Sequence, residues 1–307
     1  MKVGAVVLHH RHWPGVRGTL DALLAQTRRP DSVLVVDNQS DDGSVARIHD
    51  AFRDVEIIEA GENRGYAAGM NLGIRFHLAR GADAVLLLTH ECRLARDALE
   101  ALMKRMAAAP GLGAVGPLLA DLSEPDRVFS AGGRIDARTW TTAHVREPPS
   151  LSDWAGKPPQ PAEWLDGAAL LIRTDVVEDV GMLDEGYFLY FEETEYLLRV
   201  RAAGWEVECL PGAIAWQASG GKPPYLWTRN RLRFLWRMAP KRKLIREVLV
   251  LTRSLVRSSM RAPLGEDRAE IRARIRGLTD FLLQRWGPDP TATRITTERG
   301  SVRTAGR

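Results

Sequence analysis

The first 120 residues alternate between short apolar runs and longer stretches in which apolar residues recur every three or four positions. Short runs rich in Val, Ile and Leu are typical of strands buried on both faces of a sheet, and the longer periodicity is typical of packed helices. This alternation predicts an α/β fold with a mostly parallel, Rossmann-like sheet flanked by helices. We predict strands at residues 3–8, 32–36, 55–59, 84–88 and 113–117.

The pattern weakens from residue 120 to residue 162, where several prolines predict loops. It returns with predicted strands at 168–172 and 205–210, which are separated by an acidic stretch that leads into a helix. A chain of 307 residues is long enough for one large α/β domain and an appendage. We therefore predict one domain over residues 1–221 and an extension after it.

The net charge of +4 conceals two regions of opposite charge. Residues 222–307 contain 21 Lys and Arg against 7 Asp and Glu, whereas residues 1–221 contain 22 against 32. Helical spacing predicts a basic helical extension over residues 222–287, and the polar composition of residues 288–307 predicts a disordered tail. A segment this basic is typical of contact with an anionic partner.

Two interpretations of the basic extension remain open. A group of large apolar residues precedes the cations Lys241, Arg242 and Lys243, and this combination fits helices that lie on an anionic membrane surface. The apolar residues are Leu232, Phe234, Leu235, Trp236 and Met238. Alternatively, the helices pack on the acidic domain, with their arginines solvated or paired. Nucleic acid is not an expected partner, because the sequence contains no recognised nucleic-acid-binding module.

Cysteine content and hydropathy indicate the cellular compartment in which the protein is expected. Cys92 and Cys209 lack the number and spacing of a disulfide framework, a zinc knuckle or a redox pair, which favours a reducing cytosol. The apolar run at residues 3–8 is too short for a signal peptide, and no apolar stretch approaches the roughly 20 residues of a membrane-spanning helix. We expect a cytoplasmic protein whose membrane contact, if any, is peripheral and on the inner face.

Polar residues that follow strands are the first candidates for ligand binding, because ligands bind beyond the carboxyl ends of the strands in an open parallel sheet. Asp37, Asn38, Ser40 and Asp42 follow the second predicted strand. Asp37 can accept a hydrogen bond from a nucleobase or ribose, yet small polar residues of this kind also form turns that cap helices. The sequence leaves both interpretations open.

His9, His10 and His12 follow or end the first predicted strand. Their spacing fits no common zinc site, and no cysteine is near. The sequence does not choose between a contact of His9 or His10 with a nucleotide and an exposed strand end.

Glycines recur every four residues at Gly65, Gly69 and Gly73, which places them on one face of a helix. The pattern is neither a dinucleotide-binding fingerprint nor a P-loop, so close packing of the helix on the sheet explains it without a ligand. Arg64, just before them, is placed to reach a diphosphate.

Four segments carry a resemblance to a known family. They are VDNQSDDGS, NRGYAAGMNLG, WLDGAALLIR and GMLDEGYFLYFEETEYLLRVRAAGW, within residues 2–230. In this order they resemble successive motifs of the inverting family 2 glycosyltransferases, in particular the bacterial rhamnosyltransferase-like branch. The resemblance implies a GT-A fold, with a nucleotide-sugar donor bound by residues 1–120 and an acceptor bound by residues 121–221.

Candidate residues can then be assigned to each ligand. Those for the donor are His9, Asp37, Asn38, Ser40, Asp42, Arg64, Gly65, His90 and Arg229. Those for the acceptor are Trp164, Asp166, Gly167 and Glu192. Arg229 is included because its Thr-Arg-Asn segment matches an Arg-Asn pair of the family.

The resemblance implies a single displacement at the anomeric carbon, in which a carboxylate takes the proton of the acceptor hydroxyl. The position of the family's base is Glu193 here, where glutamate replaces the usual aspartate. With Glu192 and Glu195, it can also be interpreted as a solvated helix N-terminus. The aromatic residues that precede them favour an acidic cluster facing a cleft.

The metal site departs from the family pattern. The family commonly has an Asp-x-Asp type of motif that holds Mg²⁺ or Mn²⁺ against the diphosphate, but this chain has Thr89, His90 and Glu91. Only Glu91 offers a hard oxygen ligand, and Gln217 stands where the family has a histidine. Either Glu91 and the donor phosphates hold the cation, or His90 and Arg229 replace part of its charge. The remaining alternative is that metal and activity have both been lost.

These features together predict a glycosyltransferase. It would move a hexose or a deoxyhexose such as rhamnose from a dTDP- or UDP-sugar to a hydroxyl acceptor, which is a cell-surface glycan precursor or a secondary metabolite. The alternative is a catalytically silent sugar-nucleotide-binding or scaffold protein of the same fold. The altered metal motif and the replaced base favour that alternative, and the retained donor loop and acidic cluster oppose it.

Overall fold

The computed structural model describes residues 1–218, 220–261 and 266–289. They form two compact units. The first comprises Met1–Glu185 and Phe191–Gly221, and the second comprises Gly186–Tyr190 and the described residues from Lys222 onward. Most of the tail predicted to be disordered, from residue 290, lies outside the described residues.

The first unit is built on a ten-stranded mixed sheet and a separate two-stranded sheet, counted over the described residues. The strands are β1 Val3–His9, β2 Ser32–Asp37, β3 Glu56–Glu59, β4 Ala84–Thr89, β5 Cys92–Leu94, β6 Leu112–Asp121, β7 Val128–Ser130, β8 Gly133–Ile135, β9 Thr142–His144, β10 Gln160–Pro161, β11 Ala169–Arg173 and β12 Glu206–Gln217.

The main sheet has the order β10-β12-β6-β11-β4-β1-β2-β3, with β5 paired to β12 and β7 paired to β6. Strands β4, β1, β2 and β3 are mutually parallel, and β6 is parallel to β12. Strand β11 runs antiparallel between β4 and β6. Strands β8 and β9 form the small antiparallel sheet. Every residue of β1 and of β6 is buried, which explains their continuous apolar sequences.

Six helices flank this sheet among the described residues of the first unit. They are α1 Trp13–Leu24, α2 Ser44–Ala51, α3 Gly65–Leu78, α4 Ala98–Ala108, α5 Thr174–Val180 and α6 Glu192–Ala202. Short 3₁₀ turns lie at Leu151–Trp154 and Glu185–Tyr187. The predicted α/β fold, with a largely parallel sheet flanked by helices, is therefore confirmed.

The glycines of α3 allow it to lie directly on β1. A Cβ atom added to Gly73 would collide with both methyl groups of Val6, and one added to Gly69 would collide with Leu8. These two glycines therefore serve the close packing of helix on sheet, which was one of the sequence-based interpretations.

The second unit contains three further helices among its described residues: α7 Pro224–Met238, α8 Lys241–Arg261 and α9 Glu266–Leu282. Leu232, Phe234 and Leu235 of α7 are buried, so they are not available to a membrane, contrary to the sequence-based interpretation. Trp236 is exposed. Across the described part of the chain, no helix has both the length and the apolar character needed to cross a bilayer.

Candidate active site

The carboxyl ends of three parallel strands meet at one edge of the sheet. His9 pairs with Asp37 across β1 and β2, and Leu8 pairs with Thr89 across β1 and β4. The candidate donor residues that end or follow these strands are therefore neighbours in space. This edge is where an open parallel sheet binds its ligands.

His9 is a buried, neutral imidazole. Its Nε2 lies 2.6 Å from the Ser44 hydroxyl, which itself donates to the Asp42 carboxylate, so Nε2 carries the proton and donates to Ser44. Burial, together with the neighbouring His90, lowers the pKa of His9 to about 4. The structure thus excludes an exposed strand end at His9, which instead supports the start of α2.

The polar residues after β2 form a tightly bonded turn. Asp37 accepts hydrogen bonds from the main-chain N–H and the hydroxyl of Ser40, and Asp42 accepts the same pair from Ser44. Burial acts to raise the pKa of Asp42, but the bonds from Ser44 outweigh it and hold that pKa below its usual value. Turn formation explains these contacts, and donor binding by the same residues stays a prediction.

Asn38 links this turn to the start of α3. Its Nδ2 donates to the carbonyl oxygen of Gly65 at 2.9 Å, and its Oδ1 is buried with no hydrogen-bond partner among the described residues. Gly65 has a φ of +78°, a left-handed conformation that favours glycine. Arg64, just before it, is half-buried, and its Nε lies 3.7 Å from the Glu62 carboxylate. So long and exposed an ion pair is weak, so the guanidinium can exchange it for a diphosphate.

A cluster of two histidines and one glutamate lies beyond β1 and β4. His12, His90 and Glu91 each offer one ligand atom, and these atoms lie within 4.8 Å of one another. Burial lowers the pKa of His90, which favours the neutral imidazole that a metal ion binds. Gln217 is paired across the sheet with Cys92, the residue after Glu91. The donor chemistry of this cluster fits a divalent cation.

Tyr66 joins residues 1–120 of the first unit to residues 121–221, the segments predicted to bind donor and acceptor. Its hydroxyl donates to the carbonyl oxygen of Gly167 at 2.6 Å. A Cβ atom at position 167 would lie 2.6 Å from the same hydroxyl, so the contact requires glycine there. Burial, together with the carboxylates of Glu193 and Glu192, raises the pKa of Tyr66 well above its usual value. Tyr66 therefore remains a hydrogen-bond donor at any physiological pH.

Asp166 and Trp164 both contact His144. The Nε2 atom of His144 lies 2.8 Å from Asp166 Oδ1, and the imidazole packs against the indole of Trp164 at 4.9 Å and the ring of Phe129 at 5.0 Å. The second oxygen of Asp166 is buried and has no hydrogen-bond partner among the described residues. Asp166 therefore has hydrogen-bonding capacity that no described residue uses.

Glu192 and Glu193 begin α6. Glu192 is 2% exposed, and burial together with the charge of Glu193 raises its pKa well above the usual value. Burial raises the pKa of Glu193 to about 7, with Asp166 raising it and His144 lowering it. The predicted cluster of three glutamates is reduced to two, because Glu195 is fully buried and paired with Arg199 at 3.0 Å.

Arg229 lies in the second unit and is fully buried. Its guanidinium donates to the carbonyl oxygens of Tyr187 at 2.9 Å and Gly287 at 2.6 Å, and to the hydroxyl of Tyr225 at 3.3 Å. The arginine is thus committed to groups of its own unit. The predicted contact with a donor would require some of these bonds to be exchanged.

Sequence reasoning did not identify three residues of this site. Tyr66 lies inside one of the four family segments, and that position is the sequence signal that could have identified it. His12 was grouped with its sequence neighbours, because nothing in the spacing indicates that His90 and Glu91 are its partners in space. His144 lies in the proline-rich region, where no pattern singled it out.

Comparison with known proteins identifies the class. The family model described as glycosyl transferase family 2 matches residues 5–147, which include most of residues 1–120, the predicted donor-binding half, and end before Asp166 and Glu193. Over 98% of this chain and 58% of the other, the fold matches the crystal structure of GalNAc-T7 with UDP, GalNAc and Mn²⁺, with a TM-score of 0.62 and 14% identity. The family model and the fold define a glycosyltransferase with a GT-A fold.

The chain is a glycosyltransferase with a family 2 domain over residues 5–147. It is 28% identical over 288 residues to N-acetylglucosaminyl-diphospho-decaprenol L-rhamnosyltransferase of Mycobacterium tuberculosis, covering 81% of this chain and 91% of that protein. It is 30% identical over 202 residues to galactofuranosyltransferase GlfT1 of Mycolicibacterium smegmatis, covering 66% of each. It is 26% identical over 207 residues to dTDP-rhamnosyl transferase RfbF of Shigella flexneri, covering 66% and 65%. The predicted likeness to rhamnosyltransferases is thus confirmed.

Proposed function

We propose that this glycosyltransferase moves a hexose or deoxyhexose, with rhamnose as the first candidate, from a dTDP- or UDP-sugar to a hydroxyl acceptor with inversion. Two of the relatives are named rhamnosyltransferases, one of them with a dTDP donor, and GalNAc-T7 was solved with UDP. The name of the mycobacterial relative includes a diphospho-decaprenol substrate. This favours a lipid-linked glycan precursor over a secondary metabolite as the acceptor.

The observation that carries the proposal is the carboxyl of Glu193, whose pKa is raised to about 7. A base is most effective when its pKa lies near the working pH. Glu193 takes the proton of the acceptor hydroxyl while that oxygen attacks the anomeric carbon from the face opposite the diphosphate. The bond from the anomeric carbon to the diphosphate oxygen breaks, and the nucleoside diphosphate leaves with the electron pair.

The neighbouring groups orient the acceptor. The buried Oδ2 of Asp166 accepts a hydrogen bond from an acceptor hydroxyl. Glu192 stays protonated because burial raises its pKa, so it donates a hydrogen bond instead of adding a second negative charge beside Glu193. Two close carboxyls with opposite protonation states divide the tasks of binding and proton transfer between them.

The departing diphosphate needs positive charge. Arg64 supplies it from the start of α3 in this proposal. A divalent cation bound by His12, His90 and Glu91 would add charge at the diphosphate oxygens, and Mn²⁺ is present in the GalNAc-T7 structure.

Glu193→Gln tests the enzyme against the catalytically silent alternative. Transfer and donor hydrolysis are measured with dTDP-rhamnose, UDP-galactofuranose and UDP-glucose, in EDTA and then with added Mn²⁺ or Mg²⁺. We expect Glu193→Gln to lose about 10²–10⁴ of the transfer rate, as removal of a general base does, and Glu178→Gln on the exposed face of α5 to lose none. Equal rates for wild type and Glu193→Gln would reject the assignment.

We propose further that α8 rests on an anionic membrane surface. Ile245, Leu249, Val256 and Met260 are exposed, and their spacing places them on one narrow stripe of the helix. Exposed arginines flank this stripe at Arg242, Arg246, Arg253 and Arg257. An apolar stripe beside a row of cations is the pattern of a helix lying in the interface of an anionic bilayer. The protein would then be cytoplasmic and peripheral on the inner face of the membrane.

Liposome flotation tests the membrane proposal. The full chain should float with vesicles of phosphatidylglycerol and phosphatidylcholine at low salt, and less at high salt. Replacing Ile245, Leu249 and Val256 by serine should abolish flotation. Replacing Leu282 and Leu283, which are as exposed but lie outside α8, should not. Flotation that is unchanged by the α8 substitutions would contradict the assignment.

A further inference from the structure

The cluster of His12, His90 and Glu91 is not the carboxylate pair that the family resemblance implies. The closest approaches are from His12 Nδ1 to Glu91 Oε1 at 3.4 Å and from His90 Nε2 to the same oxygen at 3.8 Å. The side chains of His12 and Glu91 are 47% and 41% exposed, while that of His90 is 21% exposed. The cluster therefore has one buried side and one side open to a ligand.

The surrounding main chain brings these side chains together. The N–H of His90 donates to the carbonyl oxygen of Leu8, which fixes the end of β4 beside the end of β1. Gly15 sits in the first turn of α1, and a Cβ atom there would collide with the imidazole of His12 and lie 2.8 Å from the carbonyl oxygen of His90. Only glycine at this position lets α1 approach closely enough for His12 to reach Glu91.

Two imidazoles and one carboxylate select a particular class of cation. Mg²⁺ prefers six oxygen ligands and keeps several waters, so imidazole nitrogens suit it poorly. First-row transition-metal dications accept imidazole nitrogen readily, and two histidines with one carboxylate occupying one side leave the other positions open. The open side is where diphosphate oxygens or water complete the coordination shell.

We propose that His12, His90 and Glu91 form a binding site for a first-row transition-metal dication, which the protein holds in preference to Mg²⁺ even without a donor. This deepens the proposed function, on which the diphosphate's part in the shell rests, but the metal site itself does not depend on it. The main-chain N–H of His10 lies 3.3 Å from His90 Nδ1, a long hydrogen bond. Binding through Nε2 moves the imidazole proton to Nδ1 and gives up that bond.

Co²⁺ is the first probe, because its visible absorption reports nitrogen ligands directly. The full chain is freed of metal with a chelator and titrated with Co²⁺ at neutral pH, with neither donor nor acceptor present. We expect one saturable site, and Mn²⁺ and Zn²⁺ should displace the Co²⁺ while a large excess of Mg²⁺ should not. Displacement by Mg²⁺ at equal concentration would overturn the preference.

Variants locate the site. His12→Ala, His90→Ala and Glu91→Gln should each weaken Co²⁺ binding by at least the roughly 10–100-fold that loss of an outer-shell partner costs. His49→Ala removes a histidine of α2 whose side chain is 85% exposed, and this variant should bind Co²⁺ as wild type does. Thermal melting confirms that each variant is folded. If a folded His12→Ala variant bound Co²⁺ with wild-type affinity, His12 would not be a ligand of the site. Sugar transfer without any Co²⁺ binding would overturn this inference and leave the proposed function intact.

Discussion

His144 Nε2 and Asp166 Oδ1 are 2.8 Å apart, and both residues influence Glu193. Asp166 raises the pKa of Glu193, whereas His144 lowers it. The pair therefore acts on the proposed base with two opposing effects, and each can be removed separately.

Substitutions of this pair should move the acidic limb of the pH–rate profile in opposite directions. The profile of kcat/KM should fall below about pH 7, where Glu193 becomes protonated. Asp166→Asn removes a negative charge, so the pKa of Glu193 falls and the limb moves to lower pH. His144→Gln keeps a donor for Asp166 but loses the imidazole, so the limb moves to higher pH. Shifts in the same direction, or none, would contradict this account.

Glu193 should also make stability depend on pH. The pKa of Glu193 is about 7 in the folded state and near the usual glutamate value of 4.5 in the unfolded state, so the folded state binds more protons between these pH values. The stabilisation that protonated Glu193 gives to the folded state is complete below pH 4.5 and is lost as pH rises through 7. Glu193→Gln should therefore gain roughly 1–3 kcal/mol relative to wild type between pH 5 and pH 8. Urea unfolding at both pH values measures this, and Glu178→Gln should show no such gain.

Gly73→Ala should destabilise the protein, although glycine to alanine inside a helix usually stabilises by about 1 kcal/mol. The new methyl group would collide with Val6 of β1, and overpacking of this kind costs about 1–3 kcal/mol. Val6→Ala creates space, so the double variant should be more stable than the sum of the single effects predicts. Gly111→Ala, which meets no atom within 4 Å, is the control. Additive effects in the Gly73/Val6 cycle would argue against direct contact.

Asn230 should hold residues 187–190 in place. Its Nδ2 donates to the carbonyl oxygens of Tyr187 at 2.8 Å, Leu189 at 2.7 Å and Tyr190 at 3.1 Å. Asn230→Ala leaves these oxygens without that donor, which costs about 1–3 kcal/mol. Asn230→Asp should cost more, because it sets a carboxylate against three carbonyl oxygens. Hydrogen exchange should report faster opening of the Leu189 amide in both variants, and an unchanged rate would show that other contacts hold the segment.

The fold was predictable because its signal is local. Continuous apolar runs identified β1, β2, β4 and β11 to within a residue or two, since strands buried on both faces tolerate little else. The strands β6 and β12 proved longer than predicted, ending at Asp121 and Gln217, because each continues past a proline, Pro117 and Pro211, which sequence reasoning takes as the end of a strand.

The site was predictable only in part. Residues inside family segments, such as Asp37 and Glu193, could be named in advance, but their protonation could not, because it depends on burial and on neighbours distant in sequence. The interaction of Asp166 with His144 joins a family segment to a region without any pattern. Neither sequence periodicity nor resemblance contains information about such a pair.

The hydrogen bond from Tyr66 to the carbonyl oxygen of Gly167 has a consequence for recombination between family members. The tyrosine comes from the half that is proposed to recognise the nucleotide, and the glycine from the half that is proposed to recognise the acceptor. A chimaera that takes one half from a relative inherits only one partner of this contact. Exchange of acceptor specificity by swapping residues 121–221 therefore succeeds only when the incoming segment brings a glycine at position 167 to meet the resident tyrosine.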